Sequence, residues 1–314
     1  MTALIQATGA SVVHRIGPIL SRQRLVALHP IDITIARGEC LGLVGESGSG
    51  KSTLGNLLIG RQQPTTGLIS FDGKPLNQIG RKARSGRFGA VLQQPKFSLN
   101  PMLSVGESLL EPLAILGQRP AGAQARRLLG EMLERVGLPG EIQDRRPHQL
   151  SGGQRQRVSI ARALISRPDF VLFDEAVSAL DVSVQAQVLN LIRTLQKSQG
   201  FTALFISHDL AATRYICDRI AVLYAGRLME LGPAEMFYGP ARNPYSRGLQ
   251  AASGLLNEPA AELKLDNKIS PQRGCALAPR CPKQQTICRE NHPPLLGKAH
   301  VSRCHFDPED YARF

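Results

Sequence analysis

The chain has 314 residues, enough for one large α/β domain with appendages or for two modest domains, and either buries a sizeable core. Its 38 Lys plus Arg against 25 Asp plus Glu give a net charge of +13 that suits an anionic partner, but the basic residues are scattered and aromatics make up only 5%, which disfavours a base-stacking nucleic-acid platform. No stretch approaches the ~18 to 20 consecutive apolar residues of a membrane-spanning helix and no basic-apolar-small leader opens the chain, so it is expected to stay in the cytoplasm.

The first strong signal is the apolar run Cys40 to Val44, read as a buried parallel strand. It leads directly into Gly45-Glu46-Ser47-Gly48-Ser49-Gly50-Lys51-Ser52-Thr53, which fits the phosphate-loop pattern. Glycines let such a loop curl until successive N–H groups face the β- and γ-phosphates of a nucleotide such as ATP, and the helix starting near Lys51 adds its positive end. Lys51 is then expected to reach the β/γ oxygens and the Ser52 hydroxyl to ligate Mg²⁺. A glycine-rich turn before an ordinary helix is the bland alternative, and the strand before and helix after favour the nucleotide.

Arg81 to Arg87 holds four Lys/Arg, and Arg145-Arg146 is a second short basic cluster. From about 93 to 167 the pattern turns helical, with Leu128, Leu129, Met132, Leu133 and Val136 spaced by three and four, which predicts a helical insert in a sheet domain. Within it Leu150-Ser151-Gly152-Gly153-Gln154 precedes an amphipathic run through Val158, Ala161, Leu164 and Ile165. Ser151 and Gln154 are explained by a capping box, but the two glycines between them are not. Bare N–H groups at a helix start approach a phosphate closely, and a second anion site in a chain that already has one suggests two chains sharing each nucleotide.

Phe170 to Phe173 predicts another buried strand, ending in Asp174-Glu175. Asp174 is suited to the Mg²⁺ shell and Glu175 to polarising the water that attacks a γ-phosphate, against the alternative of a solvated loop residue. Val184, Val188, Leu191, Ile192 and Leu195 then sit at helical spacing, and Ala203 to Ile206 predicts a third strand before Ser207-His208. Strand, loop and helix alternate as in a doubly wound α/β sheet, where ligands bind at the carboxyl edge, here Gly45 onward, Asp174-Glu175 and Ser207-His208. Near residue 235 the alternation stops, which predicts a boundary between residues 1–235 and a small irregular extension, 236–314.

Cys40 lies in an apolar run and Cys217 in a predicted helix, whereas Cys275, Cys281, Cys288 and Cys304 crowd the last forty residues. A disulfide framework is not expected in a reducing compartment. The intervals of five, six and fifteen residues differ from the paired Cys-x-x-Cys of zinc ribbons. Four thiolates can hold a [4Fe–4S] cluster, with a zinc site, or unligated thiols packed as small hydrophobes, as the alternatives.

Over about residues 25 to 235 the sequence resembles the ATP-binding cassette (ABC) family, through the phosphate loop, Leu150-Ser151-Gly152-Gly153-Gln154 and Asp174-Glu175 in that order. The resemblance implies a RecA-like P-loop ATPase core with a helical subdomain, and a head-to-tail dimer in which Ser151, Gly152, Gly153 and Gln154 take the γ-phosphate of ATP held by the partner. It also implies that Gln93, in Leu92-Gln93-Gln94-Pro95, senses Mg²⁺ and links insert to core. Ser178-Ala179-Leu180-Asp181 resembles the loop across the dimer seam, and His208 the histidine that contacts the γ-phosphate. Taken alone, Gln93 reads as a turn residue and His208 as a polar strand end. The family places an adenine-stacking aromatic some two dozen residues before the phosphate loop. No Phe, Tyr or Trp precedes Phe71 here, leaving that place to His14, Arg15 or an aliphatic side chain such as Ile19.

Asn243-Pro244-Tyr245-Ser246 and the cysteine segment resemble the oligopeptide, dipeptide and nickel importers of the same family. That branch implies a second, paralogous ATPase in a heterodimer, two membrane permeases, an external substrate-binding protein, and a place on the cytoplasmic face of the membrane. Peptide is the first expected cargo and nickel or a metal chelate the next; import itself rests on the resemblance. A non-transport ABC ATPase acting on nucleic acid or ribosomes is the contrasting class, and this chain has neither a second cassette nor the large zinc or coiled-coil insertions such proteins carry.

Overall fold

The computed structural model describes residues 2–17, 23–92, 99–256 and 273–306. It opens with strands that the sequence analysis does not name, β1 (Ala3–Ile16) and β2 (Gln23–Ala36). In β2 the buried Ile31, Ile33 and Ile35 alternate with exposed Asp32 and Thr34, the period-2 pattern of a half-buried strand. Gly9, at φ 55, interrupts that period in β1, and its N–H is taken by Asp32 at 2.8 Å. The chain divides into two compact units, one of Met1–Ile5, Ile35–Glu39 and Ser70–Ile206, the other of Gln6–Thr34, Cys40–Ile69 and Ser207–Phe314.

In the first unit, β6 (Phe88–Val91), β7 (Phe170–Asp174) and β8 (Thr202–Ser207) pair in parallel, with Ala90 opposite Leu172 and Leu172 opposite Leu204. Their near-continuous apolar runs follow from burial on both faces, and Phe173 packs against Phe201 and Phe205. β4 (Thr66–Phe71) turns into β5 (Lys74–Pro75) through Asp72 and Gly73, both at positive φ as the tightest hairpin requires. Arg87 bridges Asp72 at 2.9 Å and Asp169 at 2.6 Å, tying that hairpin to the loop before β7.

The basic cluster at 81–87 is itself a helix, α2 (Arg81–Arg87). The predicted insert becomes α3 (Val105–Leu116), α4 (Gly122–Arg135) and α5 (Gly152–Leu164). Ser104 and Glu107 form a capping box at the start of α3, and Gly117 ends it in the left-handed region that glycine adopts without penalty. Arg162 on α5 meets Glu111 on α3 at 2.7 Å. The helix foreseen over 184–195 is longer, α6 (Val182–Gln199), because Asp181 stands at its N-cap and Gly200, at φ 69, stops it.

In the second unit, β3 (Cys40–Val44) runs parallel to β9 (Arg219–Tyr224), and β9 turns through Ala225-Gly226 into the antiparallel β10 (Arg227–Pro233). The tail contains regular structure that its composition does not announce: β12 (Val301–Arg303) pairs with β10, and β11 (Leu295–Gly297) pairs with β12. α1 (Lys51–Leu58), α7 (Leu210–Ile216), α8 (Pro244–Ala252) and α9 (Thr286–Glu290) complete the unit. Cys217 is not in a helix, as the sequence suggested, but one residue past α7, in the extended conformation that turns the chain toward β9.

A core within this unit has Ile220, Val222, Phe237 and Tyr245 packed with Cys275, Leu277, Ala278 and Cys288 of the tail. Glu230, fully buried on β10, is tolerated because its carboxylate accepts from the Arg242 and Asn243 N–H groups and meets His300 at 2.6 Å. Gly232 leaves room for that imidazole; a Cβ would stand 2.6 Å from the ring.

His29 is held neutral by burial, reinforced by Arg227, His292 and Arg303, which lower its pKa from 6.5 to about 4. Below 6.5 the unfolded chain binds a proton that the folded chain refuses, so the stability this histidine contributes is complete above pH 6.5 and is lost as pH falls toward about 4. The urea midpoint is expected to drop between pH 7 and pH 5, and a His29→Asn variant to show a shallower drop; parallel profiles would contradict this.

Candidate functional site

β3 delivers the loop 45–50 at its carboxyl end, and the loop is shaped by how close its backbone lies to its neighbours. Gly45, at φ 154, has no room for a Cβ, which would run into the Leu223 carbonyl. Gly50, at φ 101, would put one 2.8 Å from the Ala27 carbonyl. The Gly226 N–H fastens the loop through the Ser49 carbonyl at 2.9 Å.

α1 begins at Lys51 with no side-chain cap, which leaves the positive end of its dipole for an anion. Lys51 is 5% exposed, and its ammonium donates to the Gly45 carbonyl at 2.7 Å and the Glu46 carbonyl at 2.9 Å. The Ser49 hydroxyl is buried with no hydrogen-bond partner among the described residues. An uncapped helix start, a buried ammonium and an orphaned hydroxyl on one loop match the chemistry of a polyphosphate. Ser52 is exposed on the first turn and Thr53 half-buried behind it, while Ser47 and Gly48 form the exposed crest.

In the other unit, Asp174 closes β7 and Glu175 follows in the left-handed region at φ 49, a conformation that non-glycine residues rarely hold. Its N–H bonds the Ile206 carbonyl at 3.0 Å, and its carbonyl accepts from the Ser178 N–H and hydroxyl. The same unit places Ser151 at the N-cap of α5, in a reciprocal capping box with Gln154. Ser151 and Gly152 are exposed there. Gly152 lies beside Leu180, and a Cβ on Gly153 would stand 2.9 Å from Val184, so the glycine pair fits against the 178–181 loop and the first turn of α6. Asp181 offers that helix its N-cap position without a side-chain capping bond.

His208 is exposed just after β8 in the unit that carries the glycine loop, and Asp209 behind it caps α7 through the Ala211 and Ala212 N–H groups. Gln93 and Ile19 lie outside the described residues. His14 and Arg15 are exposed at the end of β1, beside Ile16, which is 53% exposed.

None of the six cysteines is in a disulfide, and Cys275, Cys281, Cys288 and Cys304 line one cavity together with Arg303 and His305. The Cys275 N–H closes this segment on the Cys288 carbonyl at 2.7 Å. Among the described residues no three His, Cys, Asp or Glu side chains stand in a ready metal-holding group. Burial, and then the neighbouring thiols, push the Cys281 thiol up to about 11, and burial also raises Cys275.

Two contacts at Glu46 have no counterpart in the sequence analysis. Arg280 grips the Glu46 carboxylate with both terminal nitrogens, at 2.7 and 2.9 Å, and the Glu46 N–H donates to the Tyr245 hydroxyl at 2.9 Å. Their partners are some two hundred residues apart in sequence, so no local spacing could reveal them.

Comparison with known proteins follows the same lines. The profile of the ABC transporter family matches residues 28–178. A relative from Brucella abortus, provisionally named a peptide import ATP-binding protein, is 43% identical over 90% of this chain and 86% of its own. One from Brucella ovis with the same provisional name is 43% identical over 89% of this chain and 92% of its own. Among solved structures, the dimeric ATP-binding cassette MJ0796 in a post-hydrolysis state with ADP and Pi aligns with a TM-score of 0.66 at 29% identity, over 73% of this chain and 98% of its own. CbiO1 of Clostridium perfringens, part of the cbiONQ transporter complex, aligns with a TM-score of 0.65 at 26% identity, over 76% and 91%.

The strained Glu175 backbone yields a prediction about stability. Left-handed geometry costs an L-residue roughly 1–2 kcal/mol, part of which glycine forfeits through its freer unfolded state. Glu175→Gly is therefore expected to raise the unfolding free energy by up to about 1 kcal/mol, measured by urea denaturation, and a destabilised variant would contradict the strain.

Proposed function

The chain belongs to the ABC transporter family, and on that premise we propose that it is the ATP-hydrolysing subunit of an importer for peptides. The observation that carries the ATPase reading is the loop 45–53, with Lys51 buried against the loop carbonyls and the Ser49 hydroxyl left without a partner. Peptide cargo is supported by the Brucella relatives, whose names assign them to peptide import.

The loop N–H groups and Lys51 take the β- and γ-phosphates of ATP, and binding replaces the two carbonyl contacts of the ammonium with charge-assisted ones to phosphate. Ser52, Asp174 and Gln93 would hold Mg²⁺, whose charge draws electron density from the phosphates being separated. Glu175 polarises the attacking water, and its left-handed backbone fixes where the carboxylate begins. His208 contacts the γ-phosphate, and Ser151 with exposed Gly152 and half-buried Gly153 takes the γ-phosphate bound by a second ATPase chain. The exposed helix start supports that shared site, as does the dimeric cassette to which the chain is similar. The second chain in this reading is a paralogue, the pair docks on two permeases at the cytoplasmic face of the membrane, and a binding protein outside delivers the cargo. Among the described residues no helix is long and apolar enough to cross a membrane, so the membrane path belongs to the permeases.

Within this proposal the four tail thiols take a thiolate-ligated metal centre, with a [4Fe–4S] cluster as the first choice. Support comes from the donor count and from one shared cavity. His300 is engaged with Glu230, and His305, in the cavity lining, meets the Asn291 carbonyl at 2.9 Å, so the proposed ligand set is the four thiols. Such a centre would supply the positive charge that ionises its thiol ligands. Iron and acid-labile sulfide at about four each per chain are expected on anaerobically purified protein; one zinc, or no metal at all, would contradict the cluster.

Glu175→Gln tests the catalytic reading. ATP binding is expected to persist while steady-state phosphate release falls by roughly 10²–10⁴-fold, the range general-base loss produces. Turnover equal to wild type would remove Glu175 from this role.

A further inference from the structure

The cysteine segment and the phosphate loop lie in one compact unit, and Arg280 of the former meets Glu46 of the latter. Glu46 follows the first glycine of the loop, and its own carbonyl accepts from the Lys51 ammonium at 2.9 Å, so it carries a negative side chain within the loop that is to receive a polyphosphate. A bare carboxylate there repels the ligand, since like charges in a partly screened environment oppose each other's approach. Glu46 is not bare. Arg280 holds it with two parallel N–H···O bonds, the geometry that matches a guanidinium fork to a carboxylate.

Arg280 has little freedom to leave. It is 13% exposed, its N–H bonds the Leu277 carbonyl at 2.9 Å, and its guanidinium lies over the Tyr224 ring at 5.6 Å. Tyr224 in turn stacks on Tyr245 at 4.7 Å, and the Tyr245 hydroxyl receives the Glu46 N–H. Tyr245 is fully buried, set at the start of α8 by the Asn243 cap. The turn that carries Arg280 runs from Cys275 to Cys281 and is anchored by buried Leu277 and Ala278.

We propose that Arg280 is a positioning residue for the phosphate loop: carried on the turn between Cys275 and Cys281, it neutralises and orients Glu46 so that the loop accepts polyphosphate. The cysteine segment is thereby part of the nucleotide site's electrostatics. This inference rests on the ATPase reading above. It assigns Arg280 no contact with the nucleotide; the effect passes through Glu46.

The test is equilibrium binding of MgATP to the full chain and to four variants, Arg280→Gln, Arg280→Lys, Glu46→Gln and the double Glu46→Gln/Arg280→Gln. Arg280→Gln is expected to weaken ATP binding by about tenfold, because it leaves Glu46 charged and unpaired. Arg280→Lys keeps the charge but loses the two-pronged grip, and is expected to bind ATP with an affinity between wild type and Arg280→Gln. The double variant is expected to bind more tightly than Arg280→Gln alone, since the repelling charge is gone. Glu46 keeps 41% of its side chain exposed, so salt reaches it, and the Arg280→Gln defect is expected to shrink as ionic strength rises.

Loss of a merely structural strut would give a double variant no better than Arg280→Gln and a defect indifferent to salt. Either of those results, or unchanged affinity in Arg280→Gln, overturns the proposal while leaving the ATPase reading intact. A wild-type chain that binds no nucleotide overturns both.

Discussion

The close approach of a bare backbone to its neighbours at the end of β3 is the constraint on which the phosphate loop depends. At Gly45 a side chain would meet the Leu223 carbonyl and at Gly50 the Ala27 carbonyl, so β9 and the chain at Ala27 hem in the loop from its two ends. Only glycine satisfies both the space and the left-handed dihedrals there. With the loop so fixed, Lys51 is carried inward beneath its own carbonyls and the start of α1 is left uncapped. The anion-seeking character of the site thus follows from packing as much as from the charged residue that announces it.

The same unit manages its charges by pairing them at a distance in sequence. Glu230 sits at 0% exposure and survives through two backbone N–H groups and His300, which pins the tail to β10. Glu46 is matched by Arg280, and Tyr245 reaches across the core to the loop backbone. Each pairing joins the segment beyond residue 240 to the strand and loop pattern before it. The tail shares a core with the strand that carries the phosphate loop, through Val44, Val222, Tyr245 and Cys275. Glu175, in the other unit, carries the opposite kind of burden: a backbone conformation that costs stability and fixes the direction of a carboxylate.

Much of this was legible in the sequence, for definite physical reasons. Strands buried on both faces read as unbroken apolar runs, so Cys40–Val44 was named with the bounds the structure gives it, and Phe170–Asp174 and Thr202–Ser207 to within a residue at either end. Loop glycines flanked by a strand and a helix carry a local signature. The strands β1 and β2 were not named because Gly9 breaks the alternation in one and the exposed first half of the other carries no period. β11 and β12 are three residues each, too short for periodicity to show, and they exist because β10 offers them an edge. The Arg280–Glu46 pair and the φ of Glu175 are tertiary facts, set by partners far along the chain. Residues 257–272 and Gln93 lie outside the described part of the chain.

The measurement that bears most directly on the central claim is phosphate release by the chain assembled in vesicles with the proposed permeases and second ATPase, with and without peptide-loaded binding protein outside. The account predicts MgATP hydrolysis that rises when the loaded binding protein is added and is lost when Lys51 is replaced by Ala. Hydrolysis indifferent to the loaded binding protein, or surviving the loss of Lys51, would contradict it.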